Sequence, residues 1–160
     1  MTSTPAGPPG QLSPVDGLAQ LSFVIQGLLE RQAAAHDLTM AQVRLLGVLR
    51  DRTPTMLELA RLLGLDKSST TGLVDRAERR GLVQRAPSAT DRRSVQVTLT
   101  DDGRTLVTQA AARFGAEVTA LLNLLPPADR KSLSGLISRL LVAHAAGHGI
   151  DLVASDGGTG

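Results

Sequence analysis

The chain has 160 residues, 42% of them hydrophobic, with 17 Lys and Arg against 15 Asp and Glu for a formal charge of +2; that is enough for one packed domain with helical extensions. It contains no Cys, which excludes disulfides, thiolate metal sites and cysteine nucleophiles together. Phe23 and Phe114 are its only aromatic residues, so packing must come from Leu, Val, Ile and Ala.

Residues 1–12, rich in Pro, Gly, Ser and Thr, read as a disordered tail, and so do the Gly-rich residues 149–160. The N-terminus has neither the basic nor the apolar region of a signal peptide, and no run of about 18 apolar residues occurs. The expectation is a cytoplasmic protein without a membrane span.

Between the tails the pattern is mainly α. Ser13, Pro14 and Asp16 form a helix start, with Ser at the N-cap and Pro at the first helical position. Leu18, Leu21, Ile25, Leu28 and Leu29 keep helical spacing to about Ala35. Thr39 caps a second helix with Gln42 as its capping-box partner, and Val43, Leu46 and Leu49 face inward. Thr53-Pro54-Thr55 has room for only a very short strand. Thr55 and Glu58 form another capping box, opening a short helix that runs through Leu63 and closes at Gly64.

Asp66 then caps "KSSTTGLVDRAERR", which Gly81 ends. Two strands follow, 82–87 and 94–99, joined by the loop 88–93. Thr100-Asp101-Asp102 starts a long helix to about Leu125, Pro126-Pro127 breaks it, and a last helix runs from about Ala128 to His148. Helix, short turn, helix and hairpin in this order predict an α+β winged helix-turn-helix over residues 37–100.

Charge placement agrees. Residues 61–93 hold eight Lys or Arg against four acids, so the net positive charge of the chain is concentrated there, as in a nucleic-acid footprint. At about 100° per residue, Thr70, Leu73, Val74 and Ala77 share the side of the 66–80 helix that packs on its domain. Ser68, Gly72, Asp75 and Arg79, flanked by Thr71 and Arg76, share the other. Short hydroxyls near a helix N-terminus, where the dipole favours phosphate, suit insertion into the major groove N-terminus first. Lys67, Ser68, Ser69, Thr71, Arg76 and Arg79 are the candidate DNA contacts of this helix.

The hairpin tip adds "DRR". Arg92 and Arg93 are long, planar and permanently charged, fit for a narrow minor groove of high negative potential. Asp91 reads as a structural residue of the loop, its carboxylate accepting from Arg or backbone N–H groups.

Residues 57–107, "LELARLLGLDKSSTTGLVDRAERRGLVQRAPSATDRRSVQVTLTDDGRTLV", resemble the central segment of the MarR family of bacterial transcriptional regulators. The resemblance lies in the LA..LG turn, the D-K-S helix start, L-V-D-R, R-G-L-V and D-R-R…V.LT..G, and extends more weakly over 14–145. It implies a homodimer with one winged helix per subunit, the 66–80 helix in the major groove, and Arg93 in the adjacent minor groove with Asp91 as its structural partner. Many family members carry a basic residue where this chain has Gly72, which leaves the operator sequence open.

Residues 13–36 and 101–148 read as N- and C-terminal dimerisation helices. Leu133, Leu136, Ile137, Leu140 and Leu141 recur at helical spacing, and Leu121, Leu122, Leu124 and Leu125 precede them. A small winged domain cannot cover that much apolar face, whereas a twofold dimer can, placing two reading heads about 34 Å apart on a palindromic site.

Arg31 and His36 flank the junction of the two regions and are candidates for binding a small carboxylate or phenolate effector. His144 and His148 stand at i, i+4, a spacing able to hold a metal, although the helix dipole alone also accounts for them. No Gly-rich phosphate loop and no G-x-S-x-G occurs, so no enzyme is expected and no cofactor is called for. The expected function is a ligand-responsive, homodimeric repressor of double-stranded DNA. The rivals are a metal-responsive regulator using His144 and His148, and a helical protein-interaction module that does not bind DNA.

Overall fold

The computed structural model describes residues 12–87 and 94–148. Asp91, Arg92 and Arg93, together with the two terminal segments, lie outside the described residues. Six helices and a two-stranded antiparallel sheet follow one another as α1 (Pro14–Ala35), α2 (Met40–Asp51), α3 (Met56–Leu63), α4 (Lys67–Arg79), β1 (Val83–Pro87), β2 (Val95–Leu99), α5 (Asp101–Leu122) and α6 (Pro127–His148). This is a winged helix-turn-helix flanked by long helices.

Local chemistry sets most of these boundaries. Ser13 Oγ accepts the Asp16 N–H at 3.1 Å, with Pro14 in the first turn of α1. Thr39 with Gln42 and Thr55 with Glu58 close reciprocal capping boxes on α2 and α3, each tying down N–H groups that the first helical turn leaves without partners. Pro54 and Thr55 form the expected minimal strand: the Val97 N–H donates to the Pro54 carbonyl at 2.9 Å, and Thr55 bridges to Gln96. In the hairpin, Val83 pairs with Leu99 and Pro87 with Val95.

Several boundaries differ from the sequence reading, β2 for one beginning at Val95 rather than at residue 94. α5 stops at Leu122 rather than near Leu125, with Asn123 as C-cap and the Leu124 and Leu125 N–H groups bonding three residues back. The cause is Pro126, whose ring drives Leu125 out of the helical region. Pro127, the second proline, takes the first position of α6, one residue earlier than expected. β1 begins at Val83 because the backbone of Leu82 is already engaged. Its N–H closes the end of α4 on the Ala77 carbonyl at 3.0 Å, and its own carbonyl accepts from Thr100 N–H at 3.1 Å.

The core lies within the winged lobe. Leu45, Leu59, Leu73, Val74, Val83 and Val97 are fully buried, and Val107 at the start of α5 completes the cluster. α2 contributes Leu45, Leu46 and Leu49, while Val43 is only half-buried. The long helices bury little: Leu28 and Ala33 on α1, Ala145 on α6. Their outer faces display Val15 at 77% exposure, Phe23 at 64%, Leu140 at 58% and Leu136 at 54%.

α5 enters this lobe at its tightest contact. A Cβ placed on Gly103 would stand 1.9 Å from the Leu82 carbonyl oxygen, inside any allowed contact. Gly103→Ala is expected to destabilise the protein by about 2 kcal/mol or more, as over-packing against rigid backbone does; a denaturant melt with an unshifted midpoint would show that the junction relaxes instead.

Candidate nucleic-acid interface

α4 is the second helix of the helix-turn-helix, and it is split cleanly by burial. Thr70, Leu73, Val74 and Ala77 are its buried residues, as the periodicity predicts. Thr70 is the one polar member, and its hydroxyl donates to the Asp66 carbonyl at 2.8 Å, which satisfies it in place. Lys67, Ser68, Ser69, Arg76 and Arg79 are exposed, and Thr71 and Gly72 are half-exposed.

The helix start is held by Asp66. Its carboxylate accepts the Ser69 N–H at 2.8 Å, the Ser69 hydroxyl at 2.7 Å and the Ser68 hydroxyl at 2.8 Å. Those bonds, the backbone one foremost, hold the Asp66 carboxyl well below the usual carboxylate range. The Thr71 hydroxyl donates to the Lys67 carbonyl at 2.9 Å. All three hydroxyls on the open side therefore have their protons committed within the helix and its cap and leave lone pairs for an external partner.

The arginines of the basic segment divide into two sets. Arg85 on β1 donates to Asp75 at 2.6 Å and also pairs with Glu78, binding the wing to α4 by bridging both acids of that helix. Arg80 reaches back to the turn between α1 and α2, donating to the carbonyls of Asp37 at 2.5 Å and His36 at 2.9 Å. Arg76 and Arg79 form no ion pair among the described residues and remain on the open face. The charge concentration seen in the sequence is thus partly structural, and neither Arg80 nor Arg85 belongs to a free basic surface.

Gly72 has no internal reason to be glycine. A Cβ there would meet only the Nη1 end of the Arg76 side chain, at 3.4 Å.

Arg31 and His36 do not come together as an effector site. Arg31 spans from α1 to α5, its Nη2 2.8 Å from Glu117 Oε2, and the same Glu117 accepts from Gln32 Nε2 at 2.7 Å. Arg31 first, then Gln32, draws the Glu117 carboxyl below its ordinary range. His36 is the C-cap of α1, with its Nε2 buried and without a hydrogen-bond partner among the described residues. The cavity between the long helices and the winged lobe lies beside them. It measures about 210 Å³ and is lined chiefly by apolar residues such as Leu29, Leu46, Val107, Ala110 and Phe114, with Gln32 and Arg50 as its polar members. Neither Arg31 nor His36 lines it. His144 is exposed on α6 and the side chain of His148 lies outside the described residues. Among the described residues no three His, Asp or Glu are grouped to hold a metal ion, and no helix is long and apolar enough to cross a membrane.

Residues 36–94 match the signature of the MarR family. A regulator of Pseudomonas putida named as the HTH-type transcriptional repressor NicR is 32% identical over 113 residues, covering 66% of this chain and 72% of its own. The chain belongs to the MarR family. An uncharacterised HTH-type transcriptional regulator of Bacillus subtilis, YfiV, is 33% identical over 98 residues, which span 61% of each chain and so less than two thirds of that relative's length. In three dimensions, a mutant of Staphylococcus aureus MepR bound to an oligodeoxyribonucleotide superposes with a TM-score of 0.60 at 20% identity, over 83% of this chain and 99% of that one. As a member of the MarR family the protein is a transcriptional regulator with a DNA-binding winged-helix fold, not an enzyme.

Because nothing inside the chain needs a glycine at position 72, Gly72→Ala is expected to raise stability by about 1 kcal/mol. A thermal melt checks this; a lower midpoint would mean that α4 is strained there. Weaker operator binding by the stabilised variant would locate the reason for the glycine in close approach of backbone to DNA.

Proposed function

We propose that this MarR-family protein is a homodimeric, ligand-responsive repressor that reads a palindromic operator. The observation that carries the reading is the division of α4, with one side buried and an open side of hydroxyls, Lys67, Arg76 and Arg79, whose two acids, Asp75 and Glu78, are paired with Arg85. α4 lies in the major groove. Ser68 and Ser69, whose hydroxyl protons are committed to Asp66, accept from exocyclic amino groups of adenine or cytosine. Lys67, Thr71 and Arg76 position the helix, and Arg79 meets phosphate. The wing loop 88–93 enters the minor groove through Arg92 and Arg93, with Asp91 organising it. The relative named as a repressor and the MepR mutant bound to an oligodeoxyribonucleotide support this reading.

Residues 13–36 and 101–148 form the dimer, and 37–100 the DNA-binding lobe. The support is apolar: Val15, Leu18 and Phe23 on α1 and Leu136, Leu140 and Leu141 on α6 are exposed in the single chain. A surface of that kind is covered in a stable homodimer. An effector occupies the 210 Å³ cavity, where it fills an apolar volume and can donate to the unpartnered Gln32 Oε1. This site replaces the pairing of Arg31 and His36.

The central experiment is selection of bound duplexes from random DNA followed by titration across salt concentrations. A DNA-binding dimer gives a palindromic consensus and a steep log–log salt dependence; a protein-interaction module gives neither. Arg93→Ala is expected to leave the dimer folded and to weaken operator binding at least tenfold in a mobility-shift titration. Leu136→Glu with Leu140→Glu is expected to yield monomers in sedimentation and to abolish operator binding; a dimer that persists places the interface elsewhere. For effector binding, compounds found by thermal shift to stabilise the protein are expected to lose their effect in Ala110→Phe, which fills the cavity, while that variant still binds the operator.

A further inference from the structure

The C-terminus of α4 is tied to the end of α1 by a side chain. Arg80 is the C-cap of α4, and its guanidinium forks onto two successive carbonyls, His36 and Asp37, that end α1. The turn it grips is itself fixed. Leu38 N–H closes on the Ala33 carbonyl at 2.8 Å and Asp37 N–H on the Ala34 carbonyl at 3.2 Å, with Asp37 left-handed at φ 52°, the place in such a turn where glycine is usual. Leu38 then packs against the core. A planar fork with two charge-assisted bonds fixes direction as well as distance, which a single ammonium cannot do.

We propose that Arg80 is a positioning residue that locks the angle between α4 and α1, and with it the placement of the reading helix relative to the N-terminal long helix. The inference rests on α4 as the reading helix. It assigns to the adjacent arginines 79 and 80 opposite roles: one outward to phosphate, the other inward to backbone.

The chain has no cysteine, so Glu30→Cys with Ser68→Cys places a spin-label pair on α1 and α4, both at exposed positions. The labelled chain, diluted into unlabelled chain, is expected to give a narrow distance distribution that broadens when Arg80→Ala or Arg80→Lys is added. In titrations with the selected operator, both arginine variants, without labels, are expected to bind at least fivefold more weakly with an unchanged log–log salt slope. Arg79→Ala, by contrast, is expected to lower that slope by about one per subunit. Should Arg80→Ala fail to fold, Arg80→Lys, which keeps the charge, decides. An unbroadened distribution overturns the proposal, and so does a slope reduced by about one per subunit, which would make Arg80 a phosphate contact. If the protein binds no duplex, the reading of α4 fails, yet the label distances still decide whether Arg80 sets the angle.

Discussion

The architecture turns on the backbone of Leu82. Its N–H terminates α4, its carbonyl takes the N–H of Thr100, and the Cα of Gly103 lies against that same carbonyl. The end of α4, the root of the wing and the first turn of α5 therefore meet at one residue. Gly81, left-handed at φ 69°, makes the reversal possible, and its carbonyl accepts the Thr100 hydroxyl at 2.5 Å. All three elements are therefore joined through the backbone of one residue. The first turn of α5 is thus packed directly on the winged lobe.

A second constraint is the division of labour among arginines. A guanidinium is always charged, and its planar donors suit carboxylates, carbonyls and phosphates alike. Arg85 spends its charge on Asp75 and Glu78, which fastens the wing to α4. Arg80 ties α4 to the end of α1, Arg44 donates to the Leu63 carbonyl at the end of α3, and Arg31 joins α1 to α5. What remains outward on α4 is a small cationic set beside hydroxyls already organised by Asp66. Such a surface favours defined contacts over diffuse attraction, consistent with a chain whose overall charge is close to neutral.

Much of this was legible in the sequence. The caps at Ser13, Thr39, Thr55, Asp66 and Thr100 are local, since each side chain bonds a backbone N–H three residues on, and spacing alone exposes them. The buried face of α4 follows from period 3.6 and was read residue for residue. The places where the reading slipped are non-local or depend on competition. Leu124 and Leu125 continue the apolar pattern, but the proline after them costs the last turn its helical geometry. Leu82 looks like strand until its backbone groups are claimed by α4 and Thr100. Arg31 and His36 were grouped by their place in the chain, whereas the ion pair to Glu117, 86 positions away, withdraws Arg31 from the cavity.

The sequence alone determined the succession of helices, the hairpin, the family and the polar face of α4, because periodicity and capping act within a few residues. Only the tertiary structure decided which arginines are structural, why position 103 must be glycine and where the apolar cavity opens. Those depend on groups on different elements, from 7 positions apart for Arg85 and Glu78 to 86 for Arg31 and Glu117, brought within bonding distance by a fold that no local pattern describes.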